Sequence, residues 1–206
     1  MTDTPPARPR GRPRNFDRDQ ALRQAMQVFW THGYEGTSML QLVEAMGIGS
    51  PSIYAAFGSK EALFREAVGF YIASEAESAW QALERIDDTR QAVRGLLFAS
   101  IDAFVATDPP RGCLIVLGAA HLGSADDSVR GFLREQRRRF RARLVARLER
   151  AVAEGDLRPD SDPAALAECV LTFFAGLAIE AVDGVPESAL RQSAQLFCQR
   201  LFAPRT

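Results

Sequence analysis

The residues best placed for chemistry in this chain form one short constellation: Ser50, Pro51, Ser52, Tyr54 and Lys60. They lie within GIGSPSIYAAFGSKEALFREAV, from Gly47 to Val68. The chemistry they suit is recognition rather than catalysis. Small or short polar side chains at a helix start let that end approach base edges in a DNA major groove. Tyr54 carries a hydroxyl on a rigid ring, suited to a phosphate oxygen. Lys60, at the opening of the next helix, adds an ammonium to free backbone N–H groups, and the two together hold a phosphate. Thr37 and Ser38 open the preceding helix and offer hydroxyls and N–H groups to the other strand's backbone. Ile53 and Phe57 are expected to point inward, toward Phe29, Leu42 and Leu63.

No other cluster competes. There is no nucleophile–base pair, no GxGxxG, no phosphate loop and no metal-ligand spacing, so the chain is read as neither an enzyme nor a cofactor or metal protein. His32 and His121 stand apart. Cys113, Cys169 and Cys198 are odd in number and far apart, which points to reduced thiols in the cytoplasm. No apolar run reaches the roughly 18 residues of a membrane span, and the N-terminus lacks an apolar signal region, so no membrane partner is expected. The formal net charge is -1, but charge is segregated. Residues 1–14 hold Arg8, Arg10, Arg12 and Arg14 against Asp3 alone, and residues 130–150 are rich in arginine, whereas the chain beyond 150 is acidic.

These residues need elements to position them. Residues 1–14, with four prolines and no periodicity, read as a flexible basic arm. Ala21, Leu22, Ala25, Val28 and Phe29 give a first helix, capped by Asp17 and ended at Gly33. A second follows Thr37 or Ser38, with Leu40, Leu42, Val43 and Met46 as its apolar face. The third covers about 50–57, with Pro51 in its first turn. The fourth opens at Ser59 and runs to about Leu83. Further helices are expected near 89–107, 112–121, 126–154, 163–182 and 186–202. No stretch alternates with period two, so the fold class is all-α with about nine helices. Helices two and three are too short to stand alone and must be clamped by their neighbours, which is a helix-turn-helix arrangement over about 38–57.

The stretch AMQVFWTHGYEGTSMLQLVEAMGIGSPSIYAAFGSKEALFREAV resembles the DNA-binding region of the TetR family of bacterial transcriptional repressors. The shared features are the F…GY…TS opening, the turn and helix G-I-G-S-x-S-I-Y-x-x-F, and S-K-E-A-L. The resemblance covers about residues 15–75. It implies an all-α homodimer whose 76–206 domain binds a small effector and dimerises through its last two helices. It also implies DNA contacts at Thr37, Ser38, Ser50, Pro51, Ser52, Tyr54 and Lys60. One position departs: Gly49 stands where the family usually has Ser or Thr, which leaves capping of the recognition helix to Ser50 or weakens it.

Outside that region the residues say less. Arg10, Arg12 and Arg14 in RGRPR resemble an AT-hook and suit a narrow minor groove. The arginines near 130–150 are expected on a solvated face, paired with acids. Cavity candidates are Trp80, Phe98, Phe104, Cys113, Ile115, His121, Phe140, Phe173 and Phe174, each equally at home in a core. Cys113 sits at a helix start, where a thiolate is favoured. The 163–182 helix is apolar nearly all round and needs cover, so Phe173, Ala175, Gly176 and Leu177, with Leu190, Phe197 and Leu201 of the last helix, form the expected dimer interface. The reading is a dimeric, sequence-specific regulator, released from a palindromic operator by an unidentified small molecule. The alternatives are redox or electrophile sensing through Cys113, or nonspecific architectural DNA binding.

Overall fold

The structure, a computed structural model, describes residues 16–118 and 127–203. Among the described residues the regular structure is all helical. The helices are α1 (Arg18–Gly36), α2 (Met39–Met46), α3 (Ser50–Phe57), α4 (Lys60–Tyr71), α5 (Glu77–Arg85), α6 (Thr89–Val105), α7 (Leu114–Leu117), α8 (Asp127–Ala153), α9 (Pro163–Val182) and α10 (Glu187–Leu201). A π-turn, Ile72–Ala76, joins α4 to α5. The long fourth helix expected from Ser59 is therefore one continuous run with a local change of pitch. Such a turn is common where a helix serves a site.

Local chemistry sets the boundaries. Asp17 accepts from the Asp19 and Gln20 amides at 2.9 and 3.1 Å and starts α1. Regular helix breaks at Gly33, whose φ of 69° and ψ of 179° let the chain turn before Gly36. Ser38 caps α2 in a reciprocal capping box with Gln41. Ser59 and Asp162 cap α4 and α9 through the Ala62 and Ala165 amides. Asp88 caps α6 through the Gln91 amide, and Asp156, from the loop after α8, accepts the Thr89 amide at 2.7 Å.

Helices α1 to α4 form a small head. Phe29, Leu42, Ile53, Phe57, Leu63 and Phe64 are buried at its centre, with Phe29 and Phe64 edge to face at 5.1 Å. The larger domain packs α5, α6, α8, α9 and α10 around a second buried zone that includes Leu83, Leu97, Leu133, Leu148 and Val170. Head and domain share one continuous core. Links cross between them. Trp30 Nε1 donates to the Arg111 carbonyl at 3.1 Å, and Tyr71, which meets the Trp30 ring edge-on at 4.8 Å within the head, donates its hydroxyl to Cys113. Arg65 donates to Ser128 Oγ at 2.9 Å and lies over Phe132 at 4.7 Å.

Three expectations are corrected. Leu40 does not join the apolar face of α2; it is 67% exposed, because the head's core is already filled by Leu42 and Met46. The arginines of α8 are not all solvated. Arg147 is buried and donates to the Leu83, Ile86 and Asp87 carbonyls and to Thr89 Oγ1, closing the end of α5 and the turn after it. By length and composition α9 is apolar enough to cross a membrane, against the expectation that no apolar run is that long. Glu168 and Glu180 interrupt α9 without lowering its mean hydropathy enough. Within this chain α9 lies on α8, α6 and α10, and only a third of its most apolar stretch is buried.

Candidate nucleic-acid interface and cavity

The surface of α3 follows from which of its residues the head consumes. Ile53 and Phe57 are buried, so Pro51, Ser52, Tyr54 and Ala55 are turned outward, with Ser50 half-buried. Tyr54 is 48% exposed. Gly49 is the N-cap of α3 and supplies no side-chain hydrogen bond; Ser50 is the first helical residue rather than the cap. The helix instead begins with the Ser52 and Ile53 amides donating to the Gly49 carbonyl at 2.9 and 3.1 Å. Gly47, at φ 65°, closes α2 in the left-handed conformation that makes the tight turn into α3.

Lys60 is the first residue of α4, as the sequence places it, and its ammonium rides 4.5 Å above the Tyr34 ring. That ring is itself tilted against Phe64 at 5.2 Å. Thr37 is corrected. It is 1% exposed and donates its hydroxyl to the Gly33 carbonyl at 2.6 Å, so it shapes the α1–α2 corner instead of presenting a hydroxyl to DNA. Replacing it by valine leaves that carbonyl short of a donor; we expect a loss of about 1 kcal/mol, read by urea unfolding. Ser38 is exposed, and its hydroxyl serves Gln41. The arm arginines Arg10, Arg12 and Arg14 lie outside the described residues.

In the larger domain a cavity of about 400 Å³ opens between the π-turn, α5, α6, α7, α8 and α9. Of the sequence candidates, Trp80, Phe104, Cys113, Ile115, Phe140 and Phe174 line it. Phe98 does not: its ring meets the Arg94 and Arg191 guanidiniums at 4.8 and 5.1 Å, near α10. Nor does Phe173, which stacks on Phe197 at 4.1 Å between α9 and α10. His121 lies outside the described residues. The sequence reading missed Tyr71, Glu75, Ser100, Arg137 and Thr172, all on the wall. The signal for Arg137 was available, since it sits four residues after Leu133 and three before Phe140 on the inward stripe of α8.

Cys113 precedes a helix of only four residues. It accepts from the Tyr71 hydroxyl at 3.5 Å, and burial pushes its thiol above the ordinary range, against the expected thiolate. Burial likewise raises Cys198, to about 11, while Cys169 is exposed on α9. Among the described residues no group of His, Cys, Asp and Glu is arranged to hold a metal. The expected interface is also redrawn. Leu177 and Leu190 are buried inside this chain, and Ala175 lines the cavity. The apolar side chains left outside are Ile179, Val182 and Leu196, at 48, 46 and 54% exposure, beside the half-buried Phe173–Phe197 pair, Gly176 and Leu201.

Comparison with known proteins agrees with this geometry. Residues 21–67 match the family described as bacterial regulatory proteins, tetR family, and residues 87–193 match the tetracyclin repressor-like C-terminal domain. The HTH-type transcriptional repressor ComR of Escherichia coli (strain K12) is 34% identical over 186 residues, covering 90% of this chain and 89% of ComR. A cysteine-substituted form of the TetR family transcriptional regulator CifR, solved with 26-base-pair operator DNA, is 40% identical. It superposes with a TM-score of 0.87 over 91% of this chain and 98% of that one. A TetR-type regulator from Rhodococcus sp. RHA1 is 36% identical, with a TM-score of 0.61 over 90% and 98% of the two chains. These relatives are transcriptional regulators rather than enzymes. With both domains matched and the reading helix displayed on its clamped head, the chain belongs to the TetR family: it is a helix-turn-helix DNA-binding transcriptional regulator.

Proposed function

We propose that this protein is a cytoplasmic, homodimeric repressor that binds a palindromic operator and leaves it when a small molecule fills the cavity. One observation carries the reading. The helix that holds Lys60 at its DNA end holds Tyr71 at its cavity end, so α4 belongs to both sites. Tyr71 also meets Trp30 of α1 edge-on. A ligand that moves the Tyr71 ring shifts both helices that clamp α3, and ligand and DNA then weaken each other's binding by the same factor. The exposed apolar strip of Ile179, Val182 and Leu196 supports pairing through α9 and α10, since such a strip favours cover by a second copy. Two copies present two α3 helices to half-sites about one DNA turn apart.

At each half-site Ser50, Pro51, Ser52 and Tyr54 approach the major groove, and Lys60 and the Ser38 end of α2 hold phosphates. The exposed Leu40 adds an apolar contact beside them. Arg10, Arg12 and Arg14 of the arm enter the neighbouring minor groove. ComR's description as a repressor and the operator complex of CifR support the sense of regulation. Nonspecific architectural binding fits poorly with a net charge of -1 and an α3 without a cation. Sensing by a Cys113 thiolate fits poorly with a thiol that burial raises.

The test is anisotropy titration on the DNA upstream of the gene, with a scrambled duplex as control, across a salt series. Two chains per specific duplex are expected. Lys60→Ala should flatten the slope of log K against log salt by about 0.9 per half-site, and deletion of residues 1–13 by about 0.9 for each phosphate that the arm neutralises. Equal affinity for the scrambled duplex would refute the reading, and an unchanged slope in either variant would remove that element from the interface.

A further inference from the structure

The cavity wall is mostly apolar, and of its two arginines one has no acidic partner among the described residues. Trp80 and Phe140 stack at 4.5 Å between centroids, and Phe104 meets Phe174 edge to face at 5.4 Å. The polar groups among them are mostly committed. Tyr71 donates to Cys113, Ser100 donates to the Leu96 carbonyl at 2.7 Å, and Arg141 pairs with Glu168 at 2.9 Å. Arg137 is different. Its Nη1 donates to the Ile115 carbonyl at 2.9 Å, and among the described residues no carboxylate lies within ion-pair distance of it. Arg138, Arg139, Arg141 and Arg143 on the same helix each have a glutamate. Burial and the neighbouring Arg134 both disfavour the Arg137 charge. The remaining acid on the wall, Glu75, accepts from the Ser74 hydroxyl at 3.3 Å and belongs to the π-turn.

A half-buried guanidinium with free N–H donors facing an apolar space is costly unless a counter-charge meets it. A carboxylate does so with two parallel hydrogen bonds, the geometry in which arginine exceeds lysine. It would also relieve the repulsion from Arg134. We propose that the cavity selects an amphipathic organic anion, with an apolar body among Trp80, Phe104, Phe140 and Phe174 and a carboxylate on Arg137. The cavity's volume falls in the range of small-molecule sites, about 300–1,000 Å³. This proposal rests on the effector reading above and narrows it to a ligand class.

The experiment uses the full-length protein and three probes with one apolar body: phenylbutyrate, phenylbutanol and phenylbutylamine. Affinities are measured by calorimetry for the wild type, Arg137→Gln and Arg137→Lys. The glutamine keeps a donor for the Ile115 carbonyl and removes the charge. Phenylbutyrate should bind the wild type roughly tenfold tighter than phenylbutanol. Arg137→Gln should bring the two within about twofold, and Arg137→Lys should retain part of the preference. Thermal melts of each variant separate lost preference from lost folding, because the alcohol must still bind a folded variant. Equal binding of all three probes, or tighter binding of the amine, overturns the anionic class and leaves a ligand cavity in place. Binding of none overturns both the class and the cavity's role as the effector site.

Discussion

Replacing Arg147 by alanine is expected to lower the melting temperature by roughly 10 °C in a domain of this size. The side chain is 4% exposed, and its guanidinium serves four acceptors at once: the Leu83, Ile86 and Asp87 carbonyls and the Thr89 hydroxyl. Three of these acceptors are backbone oxygens at the end of α5 and in the turn to α6. With alanine they lose a charged donor together, in a buried site. Leaving such a set unpaired costs about 3–4 kcal/mol. Arg147→Lys should recover only part of this, because one ammonium cannot span a fork of acceptors held by two different helices. Calorimetric melting of the three proteins checks it. A shift under about 3 °C for the alanine variant would mean that water or a rotated neighbour replaces the guanidinium.

The second large effect contrasts two faces of one short helix. Phe57→Ala empties a buried site in a head whose core is small, and a loss of about 3–5 kcal/mol is expected. That exceeds what a head of four helices with one small core can spare, so DNA affinity should fall by roughly two orders of magnitude at 37 °C while the larger domain still melts cooperatively. Tyr54→Phe, three residues away, removes only a hydroxyl from an exposed ring. Stability should stay within about 0.5 kcal/mol, and affinity for the specific duplex should fall roughly tenfold. Circular dichroism melts beside anisotropy titrations separate the two. A Tyr54 variant that loses stability, or a Phe57 variant that binds normally, would invert the assignment of faces on α3. Arg18, over the Phe57 ring at 4.6 Å and paired with Glu66, ties α1 and α4 to the same helix and makes Phe57 the less replaceable of the two.

Much of this protein is legible from its residues because its signals are local. The spacing of Ala21, Leu22, Ala25 and Phe29, the caps at Asp17, Ser38 and Ser59, and the glycines at 33, 47 and 58 each act within a turn or two of chain. They therefore mark the head's helices, and they put Ile53 and Phe57 inside and Tyr54 and Lys60 at the surface, without reference to anything distant. The all-α class follows in the same way, from periodicity near 3.6 in every apolar stretch.

Other features depend on residues far apart in the chain and emerge only on folding. Leu40 fits the apolar face of α2 by spacing, yet it is exposed because other helices already fill the head. Thr37 reads as a surface hydroxyl, but the kink at Gly33 folds the chain back over it. Arg137 and Arg147 read as a solvated charge run; one faces a cavity and the other closes α5, because α8 lies against α5, α7 and α9. Leu177 and Leu190 read as interface, but they are buried within the chain, where α6 packs on both α9 and α10. Cys113 reads as an activated thiol at a helix start, and desolvation outweighs so short a helix. In each case the residue type stated a capacity, and the partner brought by the fold determined its use. The helices and the outward face of α3 are readable from the residues because their energetics are local; the cavity and the charge within it follow from the packing of α4 to α9, because their energetics are set by burial.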